Sequence, residues 1–158
     1  MSDVPELVLQ LSSGGDKRKE RAAAALANLA GANDDNISNH EKHKADVQAA
    51  IAAAGGIAPL VALARGGTDG QMEAAASALR TLARNADNRV AIARAGGIAP
   101  LVALARGGTD GQKEQAARAL GTLARNAANQ VAIARAGGIA PLVALARGGT
   151  DGQKEKAA

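Results

Sequence analysis

GGIAPLVALARGGTDGQ stands at residues 55–71, again at 96–112 and again at 137–153, without one substitution. Working outward, residues 54–94 and 95–135 differ only at positions 72/113, 74/115, 77/118, 80/121, 87/128 and 89/130. The period is 41 residues, set by Ile57, Ile98 and Ile139. Periods of about 40 residues belong to helical solenoids or to propeller blades. Blades require strand-rich sequence with aromatic residues, whereas 42 of the 158 residues are Ala and none is Phe, Tyr or Trp. The expectation is an all-α chain whose core rests on Leu, Ile, Val and Ala, with neighbouring units burying one another.

Each unit divides into three helices. Residues 88–95 (NRVAIARA) read as a short first helix ended by Gly96–Gly97, where glycine can adopt the left-handed cap. Residues 98–106 form the second, with Pro100 tolerated in its first turn and Gly107–Gly108 closing it. Thr109-x-x-Gln112 reads as a capping box opening a third helix over 110–125, with Ala116, Ala119, Leu120, Leu123 and Ala124 at helical spacing. A short helix, a GGIxPLVxLxR second helix and an ALxxLA third helix resemble the armadillo repeat over nearly the whole chain. The resemblance implies a right-handed α-solenoid of three-helix repeats. It also implies a non-enzymatic scaffold that binds an extended peptide along a groove of third helices.

The resemblance and the period together divide the chain as a single solenoid over 1–158. Residues 1–32 form a degenerate repeat without a first helix, and 33–44 an insertion in which Ser38-x-x-Glu41 reads as a capping box for a first helix over about 39–53. Residues 45–86 and 87–127 form the second and third repeats, and 128–158 a fourth that holds only DGQKEKAA of its third helix.

Four of the six differences fall in the third helix. Three of them, 74/115, 77/118 and 80/121, are spaced i, i+3, i+6 and share one stripe. The stripe coincides with the ligand-facing row of the armadillo pattern. Arg21, Asn28, Ser77, Arg80, Thr81, Arg84, Gln115, Arg118, Thr122 and Arg125 are therefore the candidate groove residues. Peptide-binding armadillo proteins carry a Trp where this chain has Ala24, Ser77 and Arg118. They carry an Asn where it has Asn28, Thr81 and Thr122, so only Asn28 matches. Arg forks pair with carboxylates and phosphates, so the implied partner is an acidic or phosphorylated extended segment. The alternative is a structural module that self-associates through uncapped ends, with Ile139, Leu142, Val143 and Leu145 awaiting a third helix. Arg65, Arg106 and Arg147 form a further ladder, read as cations placed at helix C-termini.

Several classes are not expected. There is no Cys, so no thiolate nucleophile or Cys-based zinc site. His40 and His43 in NHEKHK read as a solvated insertion, and no Ser has a His in pattern, so neither catalysis nor a metal or cofactor is implied. GGTDGQ lacks the order of a phosphate loop. Every Leu/Val/Ile-rich stretch stops well short of the roughly 20 residues of a membrane span. The N-terminus lacks a signal peptide's pattern, and an intracellular location, cytoplasmic or nuclear, is the expectation. A net charge of +4 suits acidic partners. Nucleic acid is not expected, because no aromatic side chain is present to stack on bases. The near-identity of the repeats is compatible with recent duplication or with engineering toward a consensus.

Overall fold

The computed structural model describes residues 3–31 and 40–148. The Ser38-x-x-Glu41 capping box, most of the 33–44 insertion and the DGQKEKAA segment lie outside the described residues. Two helices open the chain, α1 (Asp3–Ser13) and α2 (Asp16–Gly31). Two three-helix units follow: α3 (His40–Ala53), α4 (Ile57–Gly66) and α5 (Asp69–Leu82), then α6 (Ala86–Arg94), α7 (Ile98–Gly107) and α8 (Asp110–Leu123). A last pair, α9 (Ala127–Arg135) and α10 (Ile139–Gly148), repeats the first two helices of a unit. Among the described residues there is no strand.

The Gly–Gly pairs make the sharp corner between first and second helices, and each glycine of a pair has its own job. Gly55, Gly96 and Gly137 sit at φ +81°, +79° and +78°, the left-handed conformation that ends a helix without steric penalty. The following glycine is required for space. A Cβ on Gly97 would lie 2.6 Å from Ile92 Cγ2, and one on Gly138 would lie 2.7 Å from Ile133 Cγ2. The chain thereby turns through 84° from α6 to α7 and 86° from α9 to α10.

Third helices begin where the capping boxes place them. Thr68 and Thr109 accept from Gln71 N and Gln112 N, while the two Gln side chains accept from the Thr backbone at 3.0 Å. Two boundaries differ from the sequence expectation. First helices start at Ala86 and Ala127 rather than near residue 88, because the Asn85 and Asn126 side chains cap them by accepting from Asn88 N and Asn129 N. For the same reason the third helix ends at Leu123 rather than 125. Its C-cap is Ala124, and Arg125 lies in the connecting turn.

The third helices α2, α5 and α8 pack side by side and form the spine of the core. Ala22, Ala23 and Ala30 of α2, Ala75, Ala76 and Ala78 of α5 and Ala116, Ala117 and Ala119 of α8 are fully buried around Leu26, Leu79 and Leu120. Ala at these positions lets helix backbones approach closely, which compensates in packing density for the missing aromatic burial.

Polar ladders fix the register between units. Gln112 Nε2 donates to the backbone oxygen and the carboxylate of Asp69 at 3.0 and 3.2 Å, and Gln71 repeats both bonds to Asp16 at 2.9 and 3.2 Å. Asn88 Nδ2 donates to Gln48 O, and Asn129 Nδ2 to Arg89 O. Arg65 and Arg106 reach forward to the left-handed glycines of the next unit, donating to Gly96 O at 3.4 Å and Gly137 O at 3.1 Å. These two arginines therefore sit in the last turn of their own helix and also bridge to the next unit. Buried amides of this kind are costly unless paired, so they favour one stacking register over slipped ones.

Candidate functional site

The candidate residues fall on the row of third helices as the helical spacing requires. Ser77 and Arg80 lie on α5 and Gln115, Arg118 and Thr122 on α8, all half-buried. Arg21 and Asn28 are exposed on α2, and Arg84 and Arg125 are exposed in the turns after α5 and α8. A cleft of about 370 Å³ crosses the row, lined among others by Ala24, Asn28, Ala74, Ser77 and Gln115. The small side chains keep it shallow.

Two of the expected contributors have little to offer a ligand. Thr81 is 2% exposed, and its hydroxyl donates to Ser77 O at 3.0 Å. Its methyl packs toward Gly31, where a Cβ would come within 3.2 Å of it. Thr122 spends its hydroxyl in the same way, donating to Arg118 O at 3.0 Å. A short hydroxyl side chain on a helix readily bonds back to the i−4 carbonyl, and a longer amide would not be held so close. The threonines are therefore a structural departure from a backbone-gripping Asn row, leaving Asn28 as the amide of that column.

The row also contains carboxylates that the comparison of repeats passed over. Glu20, Glu73 and Glu114 occupy one column, and Glu20 and Glu73 line the cleft. Glu73 and Glu114 are the same residue in both repeats, so reading the positions that differ could not find them. Each is matched locally. Glu114 pairs with Arg118 at 2.8 Å. The Glu20 carboxylate lies against Gly70 and that of Glu73 against Gly111, where an added Cβ would meet a carboxylate oxygen at 2.6 Å. Gly70 and Gly111 are in the first turns of α5 and α8, whose positive dipole end favours a carboxylate.

Arg80 is not matched to the same degree. Burial, then Arg118, then Arg84 hold the Arg80 guanidinium below its ordinary pKa, and Glu114 only partly offsets them. The buried side-chain nitrogens and oxygens without a hydrogen-bond partner among the described residues are Arg80 Nε, Arg118 Nε and Gln115 Oε1. All three lie on the candidate row, and none lies in the core or the inter-unit ladders.

No group of three or more potential metal ligands occurs among the described residues. No single described helix is long and apolar enough to cross a membrane.

Three-helix units of 41 residues, stacked through their third helices with a cleft across that row, define the armadillo-repeat solenoid, and this chain is one. Residues 85–125 match the Armadillo/beta-catenin-like repeat. Among solved structures, the chain is similar to an engineered protein from the Northeast Structural Genomics Consortium, at 31% identity and TM-score 0.86 over 99% of this chain and 60% of that one. It is also similar to a designed armadillo repeat protein in complex with the peptide (KR)4, at 22% identity and TM-score 0.85 over 99% of this chain and 62% of that one. At that identity the likeness is one of fold. The chain thus spans about three-fifths of the length of these structures. No curated protein matches it.

Proposed function

We propose that the chain is a non-enzymatic scaffold that binds an extended acidic protein segment across the row of third helices. The observation that carries this reading is the imbalance of charge compensation along the row. The carboxylates of Glu20, Glu73 and Glu114 are matched by helix N-termini and by Arg118, whereas Arg80 sits beside two other guanidiniums. A ligand that brings negative charge relieves that repulsion, and one that brings positive charge adds to it. The similar designed armadillo protein is in complex with an all-basic peptide. The arginines at Arg80, Arg84, Arg118 and Arg125 give the present groove the opposite preference. Arg21, Asn28, Ser77 and Gln115 supply further polar contacts along the row, and Thr81 and Thr122 contribute shape rather than donors.

The test is fluorescence anisotropy with matched acidic, neutral and basic peptides, repeated on Arg80→Glu/Arg118→Glu. The acidic peptide is expected to bind best, to lose affinity as salt rises, and to lose it again in the double variant. Preference for the basic peptide would refute the reading.

Self-association is the second reading, and one observation favours it. Ile139 and Val143 of α10 are 59% and 42% exposed, against 6% and 2% for their equivalents Ile98 and Val102. Leu145, by contrast, is covered. Exposed apolar faces of stacked units are natural contact surfaces between copies. Light scattering over a concentration series tests this, and a monomer at every concentration would eliminate it.

A further inference from the structure

The stack repeats one junction from unit to unit, and two series of contacts trace the side of it that looks forward. A Cβ built on Gly56, Gly97 or Gly138 would lie 3.4, 3.3 or 3.1 Å from Cγ2 of Val8, Val61 or Val102. The same second-helix valine thus packs each time against the glycine corner of the next unit. One helical turn further on, Arg65 and Arg106 donate to Gly96 O and Gly137 O of those corners. Val143 and Arg147 of α10 come next in the two series. Among the described residues no further glycine corner follows them. Val143 is accordingly 42% exposed where Val102 is 2%.

The other end of the stack leaves the backward-looking side of the junction open. Thr81 packs toward Gly31, so its column on the third helices faces the preceding unit. On α2 that column is Asn28, flanked by Leu29. Leu29 is 37% exposed, whereas its equivalents Leu82 and Leu123 are 1% and 0% exposed. Leu7 of α1 is half-buried, whereas its equivalents Leu60 and Leu101 are fully buried. Between α1 and α2 lies a cleft of about 600 Å³ lined by Asp3, Glu6, Leu7, Ala25, Asn28 and Leu29. Charge distinguishes the two ends. α1 has Asp3 and Glu6 and no base, while α9 and α10 have Arg135 and Arg147 and no acid. The basic residues of α2, Lys17 to Arg21, lie in its first half, and the cleft uses the second half. Arg65 and Arg106 each reach the chain just before the next second helix, so the same reach from Arg147 meets the acidic first turn of an α1. Opposite charges at the rim then add to apolar burial at the centre.

We propose that the α9–α10 end of one copy docks on the α1–α2 cleft of a second copy, with Ile139 and Val143 against Leu7 and Leu29 and with Arg147 beside Asp3 and Glu6. The proposal rests on the self-association reading above and specifies its mode. The two surfaces differ, so the contact is heterologous and each added copy presents a fresh end to the next. Copies add in line with no fixed number, rather than pairing through α10 about a two-fold axis.

Light scattering on mixtures of variants blocked at one end separates the two modes. The full chain is expected to gain mass with concentration past that of a pair, without a plateau. Ile139→Gln/Val143→Gln blocks one end and Leu29→Gln the other, and each variant alone should associate about tenfold more weakly or worse while its helical circular dichroism is kept. Mixed in equal amounts, the two retain one intact junction and should form pairs at the full chain's concentrations and stop at twice the monomer mass. Glu6→Arg and Arg147→Glu should each weaken association, and both changes in one chain should restore it. Association of Leu29→Gln equal to that of the unaltered chain, or a plateau at the mass of a pair for the unaltered chain, would overturn the head-to-tail mode and leave self-association through α10 standing. A monomer at every concentration would overturn both.

Discussion

Ile98 and Ile139 stand in identical seventeen-residue stretches, so their local sequence assigns them the same worth. The structure does not. Ile98 is 6% exposed in the core between repeats, whereas Ile139 is 59% exposed on the free side of α10. Ile98→Ala removes buried methyl groups and leaves a cavity, at a cost of about 3 kcal/mol. At Ile139 only about two-fifths of the residue is shielded, and solvent fills whatever space is left. The transfer term alone then amounts to about 1 kcal/mol or less. Urea denaturation followed by far-ultraviolet circular dichroism should therefore show Ile98→Ala shifting the midpoint by about 1 M or more, and Ile139→Ala by a small fraction of that. The measurement needs two protein concentrations, because a cost at Ile139 that grows with concentration would reveal copies meeting through α10. Equal destabilisation by the two substitutions at low concentration would refute the assignment of Ile98 to the core and Ile139 to an open face.

Three further outcomes follow from the contacts between and within units. Gln112→Ala should destabilise by about 2–3 kcal/mol, more than the roughly 1 kcal/mol of Thr109→Ala, because it removes the bonds to Asp69 along with the cap; equal costs in denaturant would show that the ladder adds nothing. Gly96→Ala should cost about 1–2 kcal/mol for its positive φ, while Gly107→Ala, which meets nothing within 4 Å at the end of α7, should stabilise by roughly 0.5 kcal/mol; thermal melts showing the same sign for both would contradict the corner geometry. Arg80→Met should leave the free chain as stable or slightly more stable. The folded state holds that proton less tightly than the unfolded state, so the charge costs stability wherever Arg is protonated, and the effect should be constant between about pH 6 and 9; a marked drop in melting temperature would show that Arg80 serves the fold.

Much of this protein was legible one residue at a time. The 41-residue period, the capping boxes at Thr68 and Thr109 and the left-handed glycines are local devices. Their physics is complete within a turn or two of chain, so spacing alone revealed them. The helix starts at Ala86 and Ala127 were missed by two residues because an Asn cap outweighs the first apolar residue as a boundary signal. The candidate row stands out in the sequence because its positions differ between near-copies, and Glu73 and Glu114 escape that comparison because they do not differ. Thr81 was assigned to the groove by its column, yet packing toward Gly31 of the neighbouring helix buries it.

Sequence by itself determined which elements form and which face of each is apolar, since those depend on propensity and period along one chain. Tertiary structure decided what those faces meet. It set Gln112 on Asp69 of the preceding repeat, Arg106 on Gly137 of the following one, and Arg80 beside Arg118 across two helices. It also gave identical stretches different surroundings, burying Ile98 and exposing Ile139. Hydrogen bonds, desolvation and charge repulsion act through distances in space, and no repeat of seventeen letters records which neighbour will be there.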